Sequence, residues 1–309
     1  MNIELLDLPQ GHLSHSSKGK YQRCPAGYEK HYVQKIPGPM GYSAVRGMAI
    51  HDAVEWFLTA RLKELAPDLT GMQRQFELHS LPETIQSWEK RGGITWKDYS
   101  VEEMHDDGLR ALAAWEGQPA REYATDAELP PIGKNLKPVM VEETFDVKFS
   151  NVEWYFTGRI DTYCDKKILH DLKTTGKNTP VNQAMISDQL TGEQMGLEER
   201  GMMVTGLEID QLVILKGRID VVVHRAAPRT PEEIQAWLQD TGEIARAIEA
   251  RQFPRVRDYQ TCSWCEYQSQ CSPDFAEAGV IAAELQKKRD AEKEAAKADK
   301  PKKAAKGLK

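Results

Sequence analysis

Residues 158–176, GRIDTYCDKKILHDLKTTG, constrain the fold more than any other stretch of the chain. They read as two strands joined by a tight turn at 165–167. With the turn centred on Lys166, antiparallel pairing sets Asp161 opposite Asp171, their Cβ atoms ~5 Å apart. Side chains two apart on a strand share a face, so Lys173 projects beside Asp171. Two like charges directly opposed across a sheet are destabilising unless a cation lies between them. The natural occupant is a hard divalent ion with oxygen ligands, Mg²⁺ or Mn²⁺. Lys173 would then hold or polarise a water whose pKa the metal lowers, the combination that phosphodiester hydrolysis needs. The plain alternative is a surface hairpin with an ordinary Asp–Lys pair, and a one-residue slip of register would spoil the geometry.

The rest of the chain supplies a frame for that hairpin. Residues 14–23 predict a short helix ended by Cys24-Pro25, because a residue before proline disfavours the helical region. Residues 43–65 predict a longer helix, with Val45, Met48, Ala49, Phe57 and Leu58 at helical spacing. Residues 66–138 read as a mixed, mainly helical insert, in which Ser100 and Glu103 form a capping box opening a helix that stops near Gly117. Residues 139–149 alternate as a strand, with Val139, Val141, Phe145, Val147 and Phe149 on one face. After the hairpin, Thr179-Pro180 predicts the start of a helix running to about Arg200. Residues 209–215 and 219–224 form a second hairpin, and the Thr230–Glu233 box opens a last helix ending near Arg251. From residue 139 the order is strand, strand, strand, helix, strand, strand, helix. Residues 276–309 are charged, Ala/Glu/Lys-rich and without an apolar stripe, and are expected to be largely disordered.

This hairpin resembles the catalytic motif of the PD-(D/E)XK nuclease superfamily, with Asp161 as the first aspartate and Asp171-Leu172-Lys173 as (D/E)-x-K. The element order resembles that superfamily's restriction-endonuclease-like core, an α/β fold in which a mixed sheet is flanked by helices. Arg46-Gly47-Met48-Ala49-Ile50-His51 resembles the helix-borne histidine motif of the RecB-type branch. Val141-Glu142 is similar to its first-strand glutamate, although plain alternation puts Glu142 on the polar face and Glu143 on the apolar one. Gln189 falls where that branch carries Q-x-x-x-Y, with Glu193 in place of the tyrosine. The resemblance covers about residues 14–275 and implies a nuclease domain over 1–275. It implies His51, Glu142, Asp161 and Asp171 as metal ligands, Lys173 as the residue that positions the attacking water and Gln189 as an orienting residue.

Five cysteines are present, an odd number that argues against a disulfide framework. Ser14-x-Ser16-x-Lys18-x-x-Tyr21-x-x-Cys24-Pro25, together with Cys262-x2-Cys265-x5-Cys271, resembles the iron–sulfur staple of RecB-type exonucleases, AddB-type subunits and CRISPR-associated exonucleases. Lys18 stands where an apolar residue is usual. The resemblance implies a structural [4Fe–4S] cluster on Cys24, Cys262, Cys265 and Cys271, in a C-terminal iron–sulfur segment; Trp264 and Tyr267, between the ligands, are expected to shield it from water rather than to stack on bases. Thiolates also suit zinc, which stays open. Cys164 fits neither pattern and reads as a small buried residue.

The net charge is −6, but residues 287–309 carry ten Lys/Arg against four Asp/Glu, so the body is strongly acidic. Nucleic acid must then be met by local basic patches rather than by the overall field. No phosphate-binding loop, nucleophile elbow or H-E-x-x-H helix occurs. No apolar run is long enough to span a membrane, and the acidic N-terminus lacks a signal pattern, so a cytoplasmic protein is expected. The leading expectation is a metal-dependent DNA exonuclease acting at single-stranded ends, with a helicase, recombinase or single-strand-binding protein as partner. The rivals are a non-catalytic or weakly catalytic DNA-binding partner subunit of a recombination, replication or CRISPR complex and a zinc-stapled DNA-binding protein.

Overall fold

The structure is a computed structural model that describes residues 11–271, apart from 98, 150, 151 and 264 and the side chain of 269. The expected disordered tail and the proposed shielding Trp264 therefore lie outside the described residues. The chain divides into two compact units, one ending at Arg255 and one beginning at Val256.

The first unit opens with β1 (His12–Leu13) and α1 (His15–Arg23). Ser14 and Ser17 cap α1 reciprocally, and the chain breaks at Cys24 before α2 (Pro25–Tyr28) and a π-helical turn at Glu29–Val33. A short β2 (Met40–Gly41) leads into the long α3 (Tyr42–Leu62). Val45, Ala49, Phe57 and Leu58 of α3 are buried as their spacing predicts, whereas Met48 is exposed. α4 (Leu69–Gln75) continues into a π-helical turn at Phe76–Ser80. Then come α5 (Leu81–Arg91), β3 (Ile94–Thr95) and α6 (Val101–Gly117), the last with the expected Ser100–Glu103 box. Two short strands in the predicted helical insert, β4 (Ala120–Glu122) and β5 (Glu128–Leu129), join the main sheet, followed by α7 (Ile132–Asn135).

The strand-rich half follows. β6 (Pro138–Lys148), β7 (Tyr155–Cys164) and β8 (Ile168–Thr175) are succeeded by α8 (Gln183–Ile186), α9 (Asp188–Glu198), β9 (Gly206–Leu215), β10 (Arg218–Ala226) and α10 (Pro231–Glu249). Pro180 does not open the helix. Asn182 caps α8 and Ser187 caps α9, each through a side-chain oxygen that accepts a backbone N–H, so the predicted single helix is two. β9 begins three residues earlier than predicted and is buried along nearly its whole length, as a central strand of a mixed sheet is.

The sheet runs β1-β7-β8-β9-β10-β4-β5, with β6 on the far side of β7. β8 and β9 are parallel, and α9 makes the crossover between them. One core, from α3, α4, α6 and residues such as Leu172, Leu212 and Val221, covers one face. Another, from α1, α2, α9, α10 and residues such as Phe156, Leu169 and Ile209, covers the other. This is the α/β arrangement expected, a mixed sheet flanked by helices. The second unit contributes α11 (Tyr259–Ser263) and α12 (Gln268–Cys271). No helix among the described residues is long and apolar enough to cross a membrane.

Candidate active site

The hairpin has the predicted register: Thr162 pairs with His170 and Tyr163 with Leu169. The ladder stops at the next step, where Asp161 meets Asp171. Beyond that point β1 takes β7's free edge, pairing His12 with Tyr155 and Leu13 with Phe156. The hairpin is thus a fork, and the two aspartates stand where it divides. At the fork the Asp161 side chain stands in for a ladder bond, its Oδ2 accepting the Leu172 N–H at 3.1 Å.

Asp171 is fully buried. Its Oδ1 accepts from Lys173 Nζ at 2.7 Å, and the same ammonium donates to Gln189 Oε1 at 2.7 Å. Gln189 Nε2 donates in turn to Glu193 Oε1 at 2.8 Å. The chain Asp171–Lys173–Gln189–Glu193 therefore ties β8 to one face of α9. α9 can sit this close because a Cβ at Gly192 would lie 2.3 Å from the Phe156 ring, and one at Gly196 2.5 Å from the Phe145 ring.

Asp161, Asp171 and Glu193 each offer a carboxylate oxygen, all within 4.8 Å of one another. Two oxygens, Asp171 Oδ2 and Glu193 Oε2, are buried with no hydrogen-bond partner. Buried, unpaired carboxylate oxygens are costly. Burial first, and then the neighbouring charge, raises the pKa of Asp171 to about 6 and that of Glu193 well above the carboxylate range; for Asp171, Lys173 acts in the opposite direction. Burial likewise raises Asp161, against the pull of Lys173. For Lys173 burial opposes the charge, but Asp171 and Asp161 outweigh it and the pKa is raised, so the ammonium stays protonated. Three acidic groups with two bare oxygens are the donor set of a hard dication. The residues present fit that ion.

His51 and Glu142 approach Asp161 from the other side. His51 Nδ1 lies 3.6 Å from Asp161 Oδ2, and burial with Lys173 lowers its pKa to about 4, leaving a neutral ring able to ligate. Glu142 has a positive φ of 54°, which breaks the alternation of β6. Glu142 is thereby half-buried, paired with Arg159, while Glu143 is exposed, the reverse of what simple alternation predicts. Burial and Asp161 raise the Glu142 pKa to about 8. Glu193, read from sequence only as a missing tyrosine, is the member of the converging trio that sequence reasoning did not select.

The site opens into a cleft of about 850 Å³ between α3, α5 and the end of β8. Arg46, Arg91, Arg159 and Lys173 line it alongside Asp52, Glu55 and Glu83. Gly47 is needed at its floor, since a Cβ there would come within 2.6 Å of Thr174 Oγ1.

The cysteines divide by environment. Cys164 is buried, whereas Cys24, Cys262, Cys265 and Cys271 are all partly exposed, and no disulfide joins any of them. Lys18, the departure from the apolar residue expected in the N-terminal pattern, is buried but paired. Its Nζ lies 2.8 Å from Asp188 Oδ2 and 4.7 Å from the centre of the Trp237 ring, and Trp237 Nε1 donates to the same carboxylate.

The fork, its opposed aspartates, the lysine two places on and the helix over them all fall within the span that a nuclease family model matches. The chain belongs to the PD-(D/E)XK nuclease superfamily, whose family model matches residues 12–272. It is similar in fold to the crystal structure of a protein named "Putative exonuclease" from Eubacterium rectale, with a TM-score of 0.50 and 11% identity, covering 84% of this chain and 88% of that one. The crystal structure of SSO0001 matches at 10% identity and a TM-score of 0.32, covering 69% of this chain and 93% of that one. No curated protein matches the chain.

Proposed function

We propose that the protein is a Mg²⁺- or Mn²⁺-dependent DNA exonuclease of the RecB-type branch, acting at single-stranded ends. The observation that carries this reading is the pair of bare, buried oxygens on Asp171 and Glu193, grouped with Asp161 beneath an open cleft. Asp161, Asp171 and Glu193 would hold the ion, with His51 and Glu142 adding ligands from the other side of Asp161. The bound dication supplies Lewis acidity toward the phosphate and lowers the pKa of water. Lys173, clamped between Asp171 and Gln189, presents its remaining N–H to the attacking water and to the charge that develops on phosphate oxygens. Gln189 fixes the direction of that ammonium, and Glu193 holds Gln189 from behind. Arg91, exposed at the cleft, would meet the phosphates of the strand, while Arg46 is buried and paired with Asp107.

Asp171→Ala and Lys173→Ala, assayed on end-labelled DNA with Mn²⁺, are expected to lose cleavage by at least about a hundredfold each. Wild-type rates in both would refute the reading.

Cys24, Cys262, Cys265 and Cys271 are assigned as ligands of a structural [4Fe–4S] cluster. The support is ligand chemistry: soft thiols, partly exposed, at a tight C-x2-C-x5-C spacing with one solitary partner. Anaerobically purified protein is expected to be brown and to contain iron and acid-labile sulfide, and Cys24→Ala to be colourless. A colourless wild type containing zinc would assign the cysteines to zinc instead.

A further inference from the structure

A second group of ionisable side chains lies on the opposite face of β8 from Glu193. His170 pairs in register with Glu208, and Leu172 with Asp210, so the parallel ladder of β8 and β9 puts three polar side chains side by side. All three are buried. They sit beside Leu136 and Val223, among the apolar side chains that cover this face. We propose that His170, Glu208 and Asp210 form a cation site separate from the hydrolytic one, holding a divalent transition ion of the zinc type in a structural role.

Distances and satisfaction of polar groups support the assignment. His170 Nδ1 lies 3.1 Å from Asp210 Oδ2 and 3.7 Å from Glu208 Oε2. Ligand atoms around a tetrahedral zinc with bonds of about 2.0–2.2 Å stand roughly 3.3–3.6 Å apart. All three residues offer atoms within 4.8 Å of one another. The other oxygen of Asp210, Oδ1, is buried without a hydrogen-bond partner, although the residue is only 2% exposed. The contact between His170 and Asp210 uses only Oδ2 and leaves Oδ1 bare, whereas a cation ligated by this carboxylate would engage it. Glu208 is already oriented from outside, since its Oε1 accepts from Arg225 Nε at 2.8 Å and Oε2 is left facing the histidine. A cavity of about 100 Å³ lined by Cys164, His170, Glu208, Asp210 and Arg225 provides an entry path and room for a fourth, water ligand. One histidine with two carboxylates suits zinc-type ions better than the all-oxygen set around Asp171 does.

Such an ion would pin β8 to β9 behind Asp171, as a close neighbour of the hydrolytic site, since His170 and Asp210 share a narrow cavity with His51, Glu142 and Asp161. The test uses wild-type protein crystallised with Zn²⁺ and data collected at the zinc edge. An anomalous peak within bonding reach of His170 Nδ1 and Asp210 is expected. Absence of a peak there at saturating zinc overturns the proposal, whatever is found at Asp171 or the cysteines. In solution, His170→Gln/Asp210→Asn is expected to take up one zinc fewer per chain than wild type after equilibrium dialysis. Asp171→Asn reports the hydrolytic site separately, and in it the peak at His170 is expected to persist. Equal zinc uptake by wild type and the double variant overturns the proposal.

Discussion

Asp171 is asked both to be buried and to be charged, and its neighbours only partly reconcile the two. Its pKa, raised to about 6, means that the folded state binds the proton more tightly than the unfolded chain does. By linkage the stability this group contributes is present below the unfolded pKa and is lost as pH rises through about 6. Asp171→Asn should therefore raise the melting temperature of the metal-free protein at pH 7 and not at pH 4, by roughly 2–4 °C for each kcal/mol regained. Scanning calorimetry with a chelator present checks this, and an equal shift at both pH values would contradict it. Added Mn²⁺ should stabilise wild type and not the variant, more strongly above pH 6 than below. Asp161, Asp171 and Lys173 were legible in the sequence because a two-residue period and a tight turn leave little freedom in where they point. Glu193 was not, because nothing local distinguishes a helix-borne glutamate facing buried carboxylates from one facing water. Only its neighbours Gly192 and Gly196, one turn apart, hint that this side of α9 lies hard against a sheet. Glu142 was misplaced by alternation because its positive φ is a backbone choice that periodicity does not encode.

At the level of the element, α9 is the part on which the site depends. It carries Gln189 and Glu193 on one face and approaches the sheet through two glycines. Gly196→Ala would push a methyl group into the Phe145 ring, and overpacking of this kind costs about 1–3 kcal/mol. The expected result is a lower denaturation midpoint together with a fall in cleavage rate, as the helix lifts Gln189 away from Lys173. Unchanged stability would mean that Phe145 turns aside freely. The helix was visible in the sequence, but its start was not. Thr179-Pro180 has the composition of an N-terminus, yet the chain there is irregular, and the caps that operate are Asn182 and Ser187. In β9 the signal was present and stronger than it was read. Glu208, Asp210 and Gln211, interleaved with Leu207, Ile209 and Leu212, are polar side chains inside an apolar run, and a strand buried on both faces must partner each of them.

For the whole molecule, the question is how an acidic protein engages a polyanion. On the proposed function the answer is local: the cleft brings Arg91 and Arg159 to the same opening as Lys173, while Arg46 is buried and paired with Asp107 and acidic residues border the opening. Arg91→Ala should raise KM for DNA with little change in kcat, and reduce the slope of log KM against log salt by about one. A lowered kcat at unchanged KM would place Arg91 in the chemistry instead. The order of strands and helices after residue 138 followed from alternation and capping, which are local properties. The joining of β4 and β5 to the far edge of the sheet did not, because strands of two or three residues bury too little to leave a pattern.

The fork between β7 and β8 has one more implication, and it concerns how mutants at its apex are to be interpreted. Asp161 is at once a candidate ligand and the acceptor that substitutes for a missing rung by accepting a hydrogen bond from the Leu172 N–H. Shortening it to alanine removes two things together, so an inert Asp161→Ala protein would not say which loss silenced it. Asparagine keeps an oxygen for the amide while removing the charge, and the gap between the two variants measures how far the splayed strands lean on a side chain to hold their shape.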